Sequence, residues 1–588
     1  MYLKCRKRKK DGKEHRYWSV VESVRTKQGV SKRQVLYLGE INDSQRAQWC
    51  NALEVFDGRD GSHRQMSLFP SDRTPPEEIA DAVQIDLNRM ELHRPRQWGA
   101  CWLALELWEQ LRMDSFWEPL LPASRKGTEW LNVFKTLVCY RWIDPGSEWR
   151  LHTEWFGKTA MADLLGEDAA IAGKDTLYRC LDKLCGHKEA LFSHLKECWC
   201  DMFGASYDVL LYDLTSTYFE SPPPEDKEGL RRFGYSRDKR SDCVQVVIAL
   251  VVTPEGFPVA YEVMPGNTKD NSTLSDFRGK IEKQYGKINR IWIMDRGIPT
   301  EDSLEAMRNE GASYLVGTPR GRVTKLESRL MDQPWQKVQS HIEVKLTRDG
   351  EDLYVLTRSR GRCDKERSMR RRKLKKLWKR LHEIQNIKRI DRDNLLLKLG
   401  EAKKDAGKAW KLVDIDLPEA EEEVSPSTFR FSLNRKKLRK ARRGEGTYLL
   451  RTNLTASEPE VLWRQYMVLT QIEQAFKELK HDLSVRPVHH QKDDRIEAHI
   501  FVSFIAYCLH VTLKHKAGAK APGLSPRALL EKFSTMQMVD VHLPTTDGRK
   551  LILPRYTQPG KDLQLLLHQL SLRLPEQPPP RIERSDLN

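Results

Sequence analysis

Residues 208–319 carry the feature that most restricts how this 588-residue chain can fold. DVLLYDLTSTYF (208–219), VQVVIALVVT (244–253) and PVAYEVMP (258–265) are apolar, β-prone runs, the last two joined by a tight Pro-Glu-Gly-Phe turn. The period then changes. A helix fits 273–284, IWIMD (291–295) is a nearly all-apolar strand, a helix fits 300–310, and SYLVGTP (313–319) is a further strand. Short strands without alternation belong in parallel sheets whose two faces are both covered.

The order β-β-β-α-β-α-β is that of a ribonuclease-H-like core: a three-strand meander, then parallel strands with crossover helices. The chain is therefore read as α/β. Around the core the pattern predicts a small N-terminal β unit (1–56), a linker (57–95) and a helical domain (96–204) for which DNA binding is a candidate role. The core occupies 205–319 and resumes at 456–515. A β-rich basic insertion (320–455) interrupts it, and a C-terminal region with a Pro-rich tail (516–588) closes the chain. The insertion is expected outside the core sheet, from a hairpin signal at Asp349-Gly350 and returning strands at 429–433 and 446–454. Residues 458–485 read as one helix.

Charge points to the partner. Lys and Arg number 100 against 83 acids, a surplus of +17. Thirteen of these bases fall between Arg358 and Arg380 against two acids, and seven more, with no acid, in RKKLRKARR (435–443). Such runs suit a polyanion. No segment reaches the roughly 20 apolar residues of a membrane span, and the basic N-terminus has no signal-peptide core. The expectation is an intracellular protein, cytoplasmic and nucleoid-associated, with no membrane partner. Eleven cysteines, an odd number without a paired framework, are expected as reduced thiols. The cluster Cys180, Cys185, His187, His194, Cys198 and Cys200 lacks a zinc-site spacing and reads as part of a helical core.

Two acids break the apolar strands. Asp213 follows Val209-Leu210-Leu211-Tyr212, and Asp295 follows Ile291-Trp292-Ile293-Met294. An acid in such a run is costly unless it is paired or binds metal. In the strand order above, both lie side by side at the carboxyl edge of the sheet, where a divalent cation would relieve their repulsion. A third acid is offered by YMVLTQIEQAFKELK (466–480). Tyr466, Glu473 and Lys480 are seven residues apart, nearly two helical turns.

These pieces resemble the DDE transposases of bacterial insertion sequences, in the group with a large β insertion. The matching pieces are Tyr-Asp-Leu-Thr-Ser-Thr (212–217), Gly-Tyr-Ser (234–236), Met-Asp-Arg-Gly (294–297), Leu-Arg-Thr-Asn (450–453), Arg-Pro-Val-His-His (486–490) and Arg-Ile-Glu-Ala-His (495–499). The signature helix of the group reads Tyr-x2-Arg-x3-Glu-x6-Lys; here Leu469 stands in the Arg place.

The resemblance implies that Asp213, Asp295 and Glu473 form the catalytic triad and hold two Mg²⁺ ions, with Mn²⁺ able to substitute. It implies cleavage of the element's ends and joining of 3′-hydroxyls to target DNA, by a homodimer when synapsed on DNA. Tyr466 and Lys480 would grip double-stranded DNA beside the scissile bond. Arg296 and Lys477 are further candidate DNA contacts, Lys477 as a substitute for the missing Arg. Two alternatives stay open: a metal-dependent nuclease or resolvase of the same fold, and a non-catalytic DNA-binding relative.

Overall fold

A three-stranded antiparallel meander opens the chain: β1 (Tyr2–Lys10), β2 (Lys13–Thr26) and β3 (Gly29–Glu40). It is followed by β4 (Glu91–Gln97), a run of helices, and then β5 (Val209–Tyr218), β6 (Gln245–Val252), β7 (Pro258–Pro265), β8 (Ile291–Met294) and β9 (Ser313–Gly317). Next come β10 (Gln336–Gln339), β11 (Ile342–Asp349), β12 (Asp352–Ser359), β13 (Val413–Asp416), β14 (Arg430–Leu433) and β15 (Thr447–Thr452). The last strands are β16 (Gln537–Pro544), β17 (Arg549–Tyr556) and β18 (Arg581–Arg584). This computed structural model describes residues 2–584 apart from 11–12, 27–28, 42–48, 50–84, 86, 126, 225–227, 270–272, 287–289, 296, 319–333, 340, 388–389, 420–421, 455–457 and 546–548. Most of the expected linker, and Arg296, lie outside the described residues. The protein is mixed α/β with several sheets, and it divides into two units: Met1–Ser206, Leu214–Thr268 and Gln471–Asn588 form one, Tyr207–Asp213 and Lys269–Thr470 the other.

The first unit is built on the helix Asp493–Lys520, buried almost continuously from Ile496 to Leu513. A helix apolar on every side must lie in a core. By length and composition it could cross a membrane, but its most apolar window is 94% buried inside the protein. Asp493 and Asp494 in its first turn complement the helix dipole. Phe501 stacks on Phe134 of the helix Trp130–Ile143 and meets Trp117 edge-on. The second half of β5 lies beside β6, which is buried throughout and pairs antiparallel with β7. Gly234, of the Gly-Tyr-Ser piece, packs against this hairpin so closely that a Cβ there would fall 1.9 Å from the Gly266 carbonyl oxygen. A four-stranded antiparallel sheet, β18-β17-β16-β4, completes the unit.

The second unit is a sheet in the order β10-β11-β12-β15-β9-β8-β5. The first half of β5 pairs in parallel with β8, and β8 in parallel with β9. The helices Leu274–Tyr285 and Glu301–Asn309 stand where crossover helices were expected. One expectation fails here. Residues 320–455 do not make a β-rich body outside this sheet, because β15 pairs antiparallel with β9 and brings β12, β11 and β10 into it. The physical reason is the free edge of β9, whose buried backbone groups need partners. The Leu-Arg-Thr-Asn piece fastens that edge. Asn453 Oδ1 accepts from the Tyr314 backbone N–H (2.9 Å), and the buried Arg451 bridges Glu301 (2.8 Å) and Asp352 (2.5 Å). Nor is the rest of the segment mainly β. The helices Arg360–Gln385 and Arg392–Ala406 pack as a hairpin through Leu377, Leu381, Ile384, Leu395 and Leu399, and the expected strand at 429–433 pairs, among the described residues, only with β13.

Residues 458–485 are not one helix either. Helices Pro459–Met467 and Leu469–Lys477 are separated at Val468, and Glu478–Asp482 is a π-helical turn. A π turn holds an extra residue, so seven-residue spacing no longer returns a side chain to one stripe. The ten described cysteines are all free thiols, six of them buried, and Cys180, Cys185 and Cys198 point to different backbone carbonyls, as core thiols do.

Candidate functional site

Tyr212 and Met294 are direct partners in the parallel β5–β8 ladder, and both are buried. The next residue on each strand is an aspartate. Asp213 and Asp295 therefore occupy equivalent positions where this pairing ends, on strands about 5 Å apart. Asp213 is half-buried and Asp295 exposed. Apolar packing of Leu210, Leu211, Trp292 and Ile293 sets the register, so the hydrophobic pattern itself delivers both acids to one edge.

Glu473 is exposed on the helix Leu469–Lys477, whose other face buries Ile472, Ala475 and Phe476. It belongs to the first unit, and the two aspartates to the second. Tyr466 lies on the preceding helix, half-buried, with its ring stacked on that of Tyr448 at 5.8 Å. Lys477 is exposed.

Lys480 does not stand in solvent. It lies in the π turn, its side chain 10% exposed, and its Nζ donates to Asp238 Oδ1 at 2.9 Å. Arg486 pairs with the same oxygen. Burial lowers the Lys480 pKa, and the Asp238 carboxylate works against that shift.

Two buried polar groups in the first unit were not singled out from the sequence. Glu478 accepts from Gln474 (2.9 Å) and Lys514 (3.1 Å), with His510 at 3.6 Å. Burial would raise its pKa, but His510 and Lys514 hold it at about 2. The signal was His510, a polar residue inside an apolar run that had to find a partner. Glu148, His490 and His499 form the second group, each offering a ligand atom within 4.8 Å of the others. That spacing suits a metal ion, but the charge does not. Buried Arg141 lies 3.6 Å from Glu148 and 3.3 Å from His499 Nδ1, so the carboxylate already has its cation. Arg can only donate, so His499 Nδ1 accepts and the imidazole is neutral. Burial first, and then the Arg141 charge, push His499 down to about 4. The histidines come from the Val-His-His and Ala-His pieces, which the structure thus uses to tie the C-terminal helix to the N-terminal helical domain.

The second unit also carries a basic concavity of about 910 Å³, lined by Arg358, Arg360, Arg367, Arg439, Arg442 and Arg443 among others. Glu445, buried on its floor, pairs with Arg370 and Arg367.

Comparison with known families gives this arrangement its class. Residues 204–509 match the transposase DDE domain, and residues 3–54 match the N-terminal domain of IS1634 family transposases. The chain belongs to the DDE transposases of insertion sequences. A piggyBac transposase, solved as a synaptic complex with hairpin DNA, is similar at 11% identity and a TM-score of 0.35, over 73% of this chain and 79% of that one. A likeness so distant carries no argument. No curated protein matches the sequence.

Proposed function

We propose that the protein cleaves the ends of its insertion sequence and joins the freed 3′-hydroxyls to target DNA, working as a homodimer on synapsed ends in the cytoplasm. The observation that carries this reading is the pair Asp213 and Asp295, at equivalent positions on adjacent parallel strands within a DDE-domain chain. We read the sheet as a ribonuclease-H-like core, with Glu473 as the third acid and Tyr466, Lys480 and Lys477 as contacts to double-stranded DNA. Arg296, beside Asp295 in sequence, is proposed in the same role.

The donors fit Mg²⁺ or Mn²⁺. Two carboxylates at one sheet edge, with no thiol or imidazole in the set, are hard oxygen ligands. Asp213, Asp295 and Glu473 would hold two such ions, which when bound activate the attacking oxygen and stabilise the leaving one. The chain's own part is to fix the carboxylates and hold DNA. The strand ladder sets the spacing of the two aspartates. The basic concavity of the second unit supplies guanidinium groups for backbone phosphates, contacts that give salt-sensitive affinity and little sequence information.

A strand-transfer assay with duplexes carrying the element's end sequence, target plasmid and Mg²⁺ tests the reading. Cleavage with joining is expected. Cutting without joining would identify a nuclease, and binding alone a non-catalytic relative; either outcome overturns the proposal.

A further inference from the structure

In the first unit, the Gly-Tyr-Ser piece holds two aromatic rings in solvent on a firmly anchored backbone. Phe233 is 53% exposed and Tyr235 82%. Between them, Gly234 lies against the Gly266 carbonyl, where no Cβ fits. Arg232 exchanges both backbone hydrogen bonds with Gln245 of β6 (3.1 and 2.9 Å). The buried Gln245 side chain donates to the carbonyls of Tyr235 (3.1 Å) and Gly266 (2.9 Å). Beyond Tyr235, Ser216 and Ser236 accept from the backbone N–H groups of Arg237 and Arg240. Apolar rings kept in water forgo the gain of burial. Rings already fixed in place, however, lose little freedom on meeting a partner. The charge of the loop selects that partner. Five bases and one acid lie between Arg231 and Arg240. The acid, Asp238, is already compensated by Lys480 and Arg486, so the surroundings of the rings stay cationic. Flat apolar faces strung on an anionic backbone are what a nucleic acid presents where its bases are unpaired.

We propose that Phe233 and Tyr235 form a stacking platform for unpaired bases of a nucleic-acid strand, within a cationic loop that attracts the strand's phosphates. In a duplex the base faces are already stacked on one another, so the platform distinguishes single-stranded from paired DNA. The ligand class rests on the loop alone. That the strand is one exposed at an element end rests on the transposase reading. Lys480 Nζ donates to Asp238 Oδ1 at 2.9 Å, which ties the loop to the π turn that follows the Glu473 helix. The platform is thus fixed to the segment that carries the proposed third acid.

The test titrates the full chain, as wild type, Phe233→Ala, Tyr235→Ala and Tyr235→Trp, with two DNAs across a salt series. One is a blunt duplex, the other the same duplex with a short single-stranded overhang. Wild type should prefer the overhang. Each alanine variant should lose about 5- to 100-fold in affinity for the overhang DNA, the loss of one stacked base, and stay within about twofold of wild type on the blunt duplex. The salt slopes should not change, because a neutral ring neutralises no phosphate and so releases no counterion. Tyr235→Trp should keep the preference, since stacking needs only a π face. A merely structural role would lower both affinities and the melting midpoint together. Equal losses on both DNAs, a flatter slope in the alanine variants, or a wild type without preference for the overhang each overturn the proposal. So does a change of oligomeric state in the alanine variants in place of the lost preference, which would make the loop a contact between two copies of the chain. A preference for overhangs in a protein that never joins ends would overturn the transposase reading and leave the platform standing.

Discussion

Tyr212 of β5 and Met294 of β8 face one another in a parallel ladder, and each is followed by an aspartate. The four preceding pairs, Val209 with Ile291 through Tyr212 with Met294, are held by packing, so the aspartates have no freedom to slip apart along the strands. Asp213→Asn and Asp295→Asn keep side-chain shape and remove charge. Each should lower strand transfer by at least about a thousandfold, since metal-held charge supplies several kcal/mol. The melting midpoint should stay within a few degrees of wild type. Activity above a tenth of wild type for either variant would remove that residue from the site.

Glu148 and His499 make stability depend on pH. Burial would raise the Glu148 pKa, but the neighbouring His490 and His499 side chains hold it well below 4.5. His499 is held at about 4, below its ordinary 6.5. Between those two values the unfolded chain binds a proton that the folded chain refuses, so stability falls as pH falls from 6.5 to 4. A shift of that size corresponds to at most about 3 kcal/mol. His499→Gln should flatten the denaturation midpoint over this window while leaving a further decline below it, where Glu148 and the Glu478 carboxylate, at about 2, become protonated. An unchanged pH profile in His499→Gln would show that the titrating group lies elsewhere.

Removing one partner of the same cluster should cost more than removing a surface charge. Glu148→Gln leaves Arg141 buried without a carboxylate, a situation that costs about 3–5 kcal/mol. Chemical denaturation should show this loss, with no comparable effect from Glu154→Gln, whose carboxylate makes only long, exposed pairs with Arg150 and Lys158.

What the sequence disclosed follows from the range of the forces involved. Asp213 and Asp295 were legible because each interrupts an apolar run whose period fixes strand and face. The element order of β5 to β9 was legible for the same reason. The partners of Glu148 were not, because Arg141 and His499 are 358 residues apart and nothing local marks their meeting. β14 and β15 show why the insertion was misjudged. Both are short β-prone runs, yet one pairs with β13 and the other closes the edge of β9, a choice made by Arg451 and Asn453 finding Asp352, Glu301 and Tyr314. The π turn at 478–482 was equally hidden, and it carries Lys480 off the expected stripe to Asp238.

The basic concavity should bind duplexes without regard to sequence. Arg439→Glu with Arg443→Glu reverses two charges on the helix Arg435–Arg443, which lines the concavity. Affinity for end DNA and for unrelated DNA should fall by the same factor, and both salt slopes should flatten by about two units. A loss confined to end DNA would assign these residues to base reading instead.

Leu469 stands where the group's signature helix carries Arg, and the structure buries it at 8% exposure. Its side chain joins the apolar face with Ile472 and Phe476, so this position makes no phosphate contact and an Arg there would lose its packing. Lys477 ends the same helix and is exposed. It lies four residues after Glu473, one turn along, so it borders the proposed acid as the missing Arg would have done from the other side. Lys477→Ala should therefore weaken binding to end DNA and reduce the salt slope by about one unit, the signature of one lost phosphate contact. The fold should be untouched, because a solvent-facing helical Lys→Ala change falls within about 0.5 kcal/mol. Titrating wild type and variant over the same salt series decides the matter. Parallel lines would leave the Leu469 position uncompensated and remove Lys477 from the DNA-contacting set.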